Sequence, residues 1–212
     1  HVSGTGRKAV WEAYPIGGAR LSPQFWVLPA DVPRANQHRA DVLRAGFCDI
    51  AGQTNERSLM AALVPAGVVC GNKVPTILFP DDPSEQRLLV WLSIANSFVF
   101  DWMLRRVLTT TVNYFLLQSL PMPKLARDGL PWQKLASAAR ELRALDSAGV
   151  TPATYERMAQ LRGDIDAEVA VAYGLDVKDM ELVMQDFPLL DRGQPALAAE
   201  EKSTVTRDSV LA

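Results

Sequence analysis

Little in this chain of 212 residues invites metal or redox chemistry. It has two cysteines and two histidines. Cys48 and Cys70 lack both CxxC spacing and a histidine partner, so buried thiols are expected rather than a nucleophile, a ligand pair or a disulfide framework. His38 stands alone in its neighbourhood and reads as a surface residue, not a metal ligand. No phosphate-cradling glycine loop is present, because the SGTG at Ser3 to Gly6 lacks a preceding strand and a following helix. Asp164, Asp166 and Glu168 fall on one amphipathic helix, where such carboxylates are ordinarily a solvated face rather than an acid–base pair. By itself the chain is expected to catalyse nothing and to hold neither metal nor cofactor.

Long apolar runs are scarce too. The one candidate, Leu88 to Leu104, is short for a hydrocarbon core and carries Asn96, Ser97 and Asp101, so a buried helix is expected in preference to a membrane span. With no signal peptide and few thiols, a reducing cytosol is the default compartment. The chain opens on His1 with no initiating methionine, and a piece of a longer protein is the expectation. Charge of one sign is also lacking overall, at a net -2, while 48% apolar residues mark a globular chain. The balance is uneven: residues 1–125 hold twelve Lys or Arg against nine Asp or Glu, and residues 126–212 hold ten against fifteen. Any polyanion-binding surface is therefore expected in the first part.

What is present is organised around 86–123. Leu88, Leu89, Leu92, Ala95, Phe98, Val99, Trp102 and Met103 follow the i, i+3, i+4 rhythm of one buried helix. After Arg105 and Arg106 the rhythm changes to two, and TTTVNYFLLQ (109–118) suits a half-buried strand, closed by the prolines of LPMPKL. Upstream, Val2 to Ala30 reads as short strands or loops fastened by Trp11, Tyr14, Phe25 and Trp26, with Arg7, Lys8 and Arg20 among them. Thr54 or Asn55 before ERSLMAALV has the look of a helix start. Gly67 to Phe79 reads as two strands about Gly71, Asn72 and Lys73. Downstream, helices are expected over 131–145, 155–173 and 176–185. The fold class that follows is α+β: a mixed domain over 1–125 with a central buried helix and short strands, a helical appendix over 126–190, and a flexible tail over 191–212.

Four pieces occur in order: CDIAGQTNERSLMAALVPAGVVCGNKV, LLVWLSIANSFVFDWMLRRV, VNYFLLQSLPMP and LRGDIDAEVAVAYGLDVKDMELVMQDFP. In that arrangement the chain resembles the TaqI-like carboxy-terminal specificity (target-recognition) domain of adenine-N6 DNA methyltransferases and fused restriction-modification enzymes, including methylases of phage defence. The middle pieces also resemble the recognition domains of type I specificity subunits. The resemblance covers about 47–188. It implies double-stranded DNA as the ligand, with the target adenine rotated into a catalytic domain that uses S-adenosylmethionine while this domain holds the neighbouring sequence. The family's Asn- or Asp-Pro-Pro-aromatic tetrapeptide and its glycine-rich S-adenosylmethionine loop are absent here, which assigns catalysis and cofactor to a domain of the parent protein.

Gripping a duplex needs cations and hydroxyl donors for phosphate, and reading bases needs planar bidentate groups such as arginine or asparagine. Arg105, Arg106, Thr109, Thr110, Thr111 and Asn113 offer both at one corner, Asn72 and Lys73 at a hairpin tip, and Asn55 and Arg57 in the TNER stretch. Each has a plainer alternative. The two arginines can complement a helix dipole before a solvated turn, and Glu56 and Arg57 can cap and pair within the fold. The rival to DNA recognition is a protein-interaction or scaffolding module, drawn from the acidic appendix and the modest charge. Steep loss of affinity with salt separates the two.

Overall fold

A computed structural model describes residues 25–149, 151–188 and 210–211. Of the aromatic-anchored stretch expected over 2–30, the part up to residue 24, with Trp11, Tyr14, Arg7, Lys8 and Arg20, lies outside them, as does nearly all of the expected tail; Phe25 and Trp26, expected as anchors, are exposed. The described chain is α+β. A short helix, α1 (Arg34–Ala40), leads into a three-stranded antiparallel sheet in which β1 (Arg44–Phe47) runs between β2 (Ala61–Val64) and β3 (Thr76–Ile77). All four residues of β1 are buried. Gly46 lets the neighbouring segments close over it: a Cβ there would stand 2.8 Å from Val64 Cγ2 and 2.9 Å from Val74 Cγ1.

Three local expectations give way to tertiary contacts. No helix follows Thr54; the ERSLMAALV segment runs instead into β2, paired Phe47 to Ala61 through Arg44 to Val64. Its backbone is taken by other partners, since Ser58 N donates to Asp101 and Ala61 exchanges hydrogen bonds with the Asn96 side chain. The two strands expected over 67–79 reduce to β3, which pairs only with β1. The strand expected over 109–118 is a bridge from Thr111 to Ile50, then a helix, α4 (Tyr114–Ser119). Asn113 Oδ1 accepts from Leu116 N at 2.9 Å and starts that helix.

The apolar run is buried as expected, but as two helices, α2 (Gln86–Ala95) and α3 (Phe98–Val107), bent by 63° at Asn96 and Ser97. Ser97 Oγ caps α3 by accepting from Phe100 N at 3.2 Å and donates to Ile94 O at 2.7 Å. Asn96 turns away to meet β2, its Oδ1 3.1 Å from Ala61 N and its Nδ2 3.0 Å from Ala61 O. Asparagine and serine favour such local bonds over helix continuation. Among the described residues no single helix is long and apolar enough to cross a membrane.

The three helices expected at the C-terminal side are present as α5 (Leu130–Ala148), α6 (Pro152–Ala172) and α7 (Val177–Met184). Capping boxes at Thr151 with Thr154 and at Asp176 with Asp179 start the last two. They pack on α2 and α3. One hydrophobic core joins Phe47 and Leu59, the apolar faces of α2 and α3, Leu135 of α5, Ile165 and Val169 of α6, and Met180 and Met184 of α7. Burying a side chain of this size contributes roughly 1.5–3 kcal/mol. The appendix is therefore a wall of the core that also holds up the sheet.

Candidate nucleic-acid interface

The pieces of sequence that carry the family resemblance meet in space. Arg57 of TNER donates from Nε to Asp101 Oδ2 at 2.7 Å and from Nη2 to the carbonyls of Asn96 and Ser97, at the break between α2 and α3. Asp101 is wholly buried and also accepts from Ser58 N at 3.0 Å. Arg105, one turn further along α3, is 6% exposed and donates to the carbonyls of Gln53, Asn55, Glu56 and Asp186 at 2.8–2.9 Å. Phe187 lies beneath both arginines, with the Arg105 guanidinium 4.1 Å and the Arg57 guanidinium 5.9 Å from its ring centre, and Phe98 packs edge-on to it. A desolvated cation over an aromatic face gains about 2 kcal/mol. The ion pairs offset the cost of burying these charges only because nearly every donor is used.

A second buried carboxylate completes this polar knot. Asp166 of α6 accepts from Phe98 N at 2.7 Å, at the first turn of α3. Burial pushes its carboxyl up to about 6, against the opposing pull of Arg57 and the Phe98 amide. Burial likewise lowers the Arg105 guanidinium, with Asp101 opposing. The solvated carboxylate face expected on this helix fits Asp164, which is exposed, but not Asp166. The position was legible: Asp166 stands three and four residues before Val169 and Ala170, both buried, so it lies on the apolar stripe.

Above the knot, three segments far apart in sequence are laced into one ledge by their backbones. Asp49 N donates to Lys73 O, Ala51 N to Thr110 O, and Val112 N to Asp49 O at 2.7 Å. Side chains reinforce the lacing: Gln53 Nε2 reaches Leu108 O at 2.6 Å, and Lys73 Nζ reaches Asp49 Oδ2 at 3.1 Å. Tyr114 ties α4 to the sheet, its hydroxyl accepting from Thr76 N at 2.9 Å and donating to Thr76 O at 3.0 Å. Arg39 of α1 donates to the same threonine. There is no hairpin to carry Asn72 and Lys73, which lie in a turn before β3; this turn and the corner, separate in sequence, thus form one surface. Asn55, Asn72, Lys73, Thr109, Thr110, Thr111 and Asn113 are all exposed along it.

The arginines expected to read bases sit elsewhere. Arg105 and Arg57 have their donors turned inward, and a guanidinium holding four loop carbonyls cannot present its fork to guanine. Their role is to position: Arg105 fixes the carbonyls of 53, 55 and 56, and so the loop that carries the ledge. Arg106 is half exposed, but it pairs with Asp186 and lies 4.5 Å over the Trp102 ring. Asn113 spends its Oδ1 on capping, which leaves its amide nitrogen for a ligand. The ledge is consequently rich in hydroxyl and amide groups and sparing in free cations.

Among the described residues no group of three or more His, Cys, Asp or Glu could hold a metal ion. Cys48 and Cys70 are free and half-buried, with Cys48 Sγ against Ile50 O and Cys70 Sγ 3.8 Å from Arg44 Nη2. No family model, curated protein or solved structure matches the chain.

Proposed function

We propose that this chain is the target-recognition domain of an S-adenosylmethionine-dependent adenine-N6 DNA methyltransferase or restriction-modification enzyme, one of phage defence included, reading duplex DNA for a catalytic domain that lies elsewhere in the parent protein. The observation that carries the reading is the ledge. Loops 49–55, 71–74 and 109–113, drawn from three places in the sequence, are bonded backbone to backbone and present threonine hydroxyls, asparagine amides and one lysine on a scaffold locked from below. Rigid display of such groups is what reading base edges requires. The family resemblance agrees with it, and three of its four pieces supply the residues of the knot that supports this surface.

Salt dependence is expected to be mild, contrary to what composition suggests. Of the cations expected at this surface, Arg57 and Arg105 are turned inward, which leaves Lys73 and Arg106 for phosphate, each with an acid partner. Two phosphate contacts give a slope of about -2 in log affinity against log salt. Titration of the chain with a pool of 30-base-pair random duplexes at several salt concentrations tests this. Measurable low-salt binding with that slope is expected, and weaker binding by Lys73→Glu, with a melt to check that the variant is folded, because the substitution also removes the ion pair to Asp49. A Lys73→Glu variant that binds as well as the native chain counts against the ledge.

A protein-interaction module is the second reading, favoured by a groove of about 530 Å³ between α5 and α6. Leu135, Ala138, Leu161 and Ile165 line it between the ion pairs Lys134–Glu168 and Arg157–Glu141. A protein partner seated there leaves the chain indifferent to duplex DNA at every salt concentration.

A further inference from the structure

We propose that a cleft between α2, the first turn of α5 and the segment 122–125 docks a peptide segment of another protein, through one large apolar side chain with a carboxylate beside it. The cleft holds about 180 Å³ and is walled by Phe79, Trp91, Ile94, Met122 and Trp132, with Arg87 at its side. Its walls are pinned before any ligand arrives. Trp132 Nε1 donates to Gln86 Oε1 at 3.3 Å, and the Tyr173 hydroxyl holds the segment by donating to Pro121 O at 2.8 Å. The Arg87 guanidinium lies 4.7 Å from the centre of the Phe79 ring. A pocket fixed in this way spares part of the ordering cost of binding. No residue of loops 49–55, 71–74 or 109–113 lines it, so the inference stands apart from the ledge.

Size and chemistry together choose the ligand. Sites for drug-sized molecules run from about 300 to 1,000 Å³. A volume of 180 Å³ suits a single side chain, the way an anchor residue enters its partner. The polar atoms on the lining side chains are donors: the Arg87 guanidinium and the indole N–H groups of Trp91 and Trp132, the last already bonded to Gln86. The Met122 thioether is only a weak acceptor. A nucleic-acid base in the cleft would bury an N–H or amino donor with no side-chain acceptor to meet it, at a cost of about 1–3 kcal/mol. An ionised carboxylate carries acceptors alone. Among the described residues Arg87 is the one charged group on the lining, and it is in no ion pair. Asp82 feels its charge without pairing with it, and each Asp82 oxygen already has a donor, Ser84 Oγ at 2.6 Å and Arg87 N at 2.5 Å. A guanidinium lying on an aromatic face still offers the N–H groups of its edge to a carboxylate.

The test selects random nine-residue peptides displayed on phage against the 212-residue chain, then measures the enriched peptides on Arg87→Met, Met122→Glu and Met122→Lys. Arg87→Met keeps an apolar stem on Phe79 and removes the charge, while Met122 is 41% exposed and can be changed without touching the core. Enriched peptides are expected to carry an aromatic or large aliphatic residue beside Asp or Glu. Arg87→Met and Met122→Glu are expected to bind them roughly tenfold more weakly, and Met122→Lys as well as the native chain or better. Denaturant midpoints check that each variant is folded. Enriched peptides that lack acids, or that all three variants bind equally, overturn the proposal, as does an absence of enrichment. Weaker binding of the random duplex pool by Arg87→Met overturns it by giving the cleft to nucleic acid. A native dimer in sedimentation that Met122→Glu breaks overturns it by giving the cleft to a second copy of the chain.

Discussion

Arg57 Nε and Asp101 Oδ2 lie 2.7 Å apart across a separation of 44 residues, and that ion pair pins the loop beneath the ledge to the middle of α3. Asp101 is 0% exposed, whereas the Arg57 side chain keeps 22% of its surface. The carboxylate is therefore the irreplaceable member. Asp101→Ala strands Arg57, Arg105 and the Ser58 amide without their acceptor, and breaking a buried pair in this way costs about 3–5 kcal/mol. Urea unfolding of the variant measures it. A loss below about 1 kcal/mol shows that the knot is not what holds the loop.

Arg105 and Arg106 are neighbours in sequence with opposite roles. Arg105→Ala removes a buried guanidinium from four carbonyls and is expected to cost about 3 kcal/mol or more. Arg106→Ala breaks a half-exposed pair and is expected to cost under about 1 kcal/mol. The double substitution would weaken DNA binding through unfolding alone, so only Arg106→Ala reports on contact. Circular dichroism melts of the two single variants separate the cases, and equal losses contradict the assignment.

Asp166 makes stability depend on pH in an unusual direction for an aspartate. Its folded carboxyl titrates at about 6, above an unfolded value of 3.8, so between those values the folded state holds more protons than the unfolded state. Its contribution to stability thus falls as pH rises from about 4 to 6, by roughly 3 kcal/mol at most. Asp166→Asn keeps an acceptor for Phe98 N and removes the titration. Denaturant midpoints over that range should fall more steeply with pH in the native chain than in Asp166→Asn, and the variant should be the more stable at pH 7. Parallel profiles would rule out the buried carboxyl as the cause.

Tyr114 offers a milder perturbation. Tyr114→Phe keeps the ring against Phe47 and removes both hydrogen bonds to Thr76, a loss of about 0.5–1.5 kcal/mol for each bond. Amide exchange at Thr76 should quicken while exchange in α5 and α6 stays as it was. Unchanged exchange at Thr76 indicates that α4 is held to the sheet by other contacts.

The helices α5, α6 and α7 were legible in the sequence because their apolar periodicity and caps agree with their tertiary contacts. The bend between α2 and α3 was not, because the apolar rhythm of Leu92, Ala95, Phe98 and Val99 runs straight across it. Asn96 and Ser97 were the available signal, being residues that bond to nearby backbone rather than extend a helix. TTTVNYFLLQ misled for a related reason. Val112, Tyr114 and Leu116 alternate as a strand does, yet Asn113 is a strong cap, and Leu117 with Leu120 already has helical spacing. Burial of Arg105 has no local signal. A basic pair at a helix end looks the same whether it meets solvent or, as Arg105 does, the carbonyls of Gln53, Asn55 and Glu56 on one side and of Asp186 on the other, and only the fold decides.

The most direct measurement is hydrogen–deuterium exchange of the chain with and without duplexes selected from the random pool. DNA held on the ledge should slow exchange in 49–55, 71–74 and 109–115 together, because these loops share their hydrogen bonds, while the α5–α6 groove stays unchanged. Protection confined to that groove, or none in the three loops while DNA is bound, would contradict the assignment of the ledge.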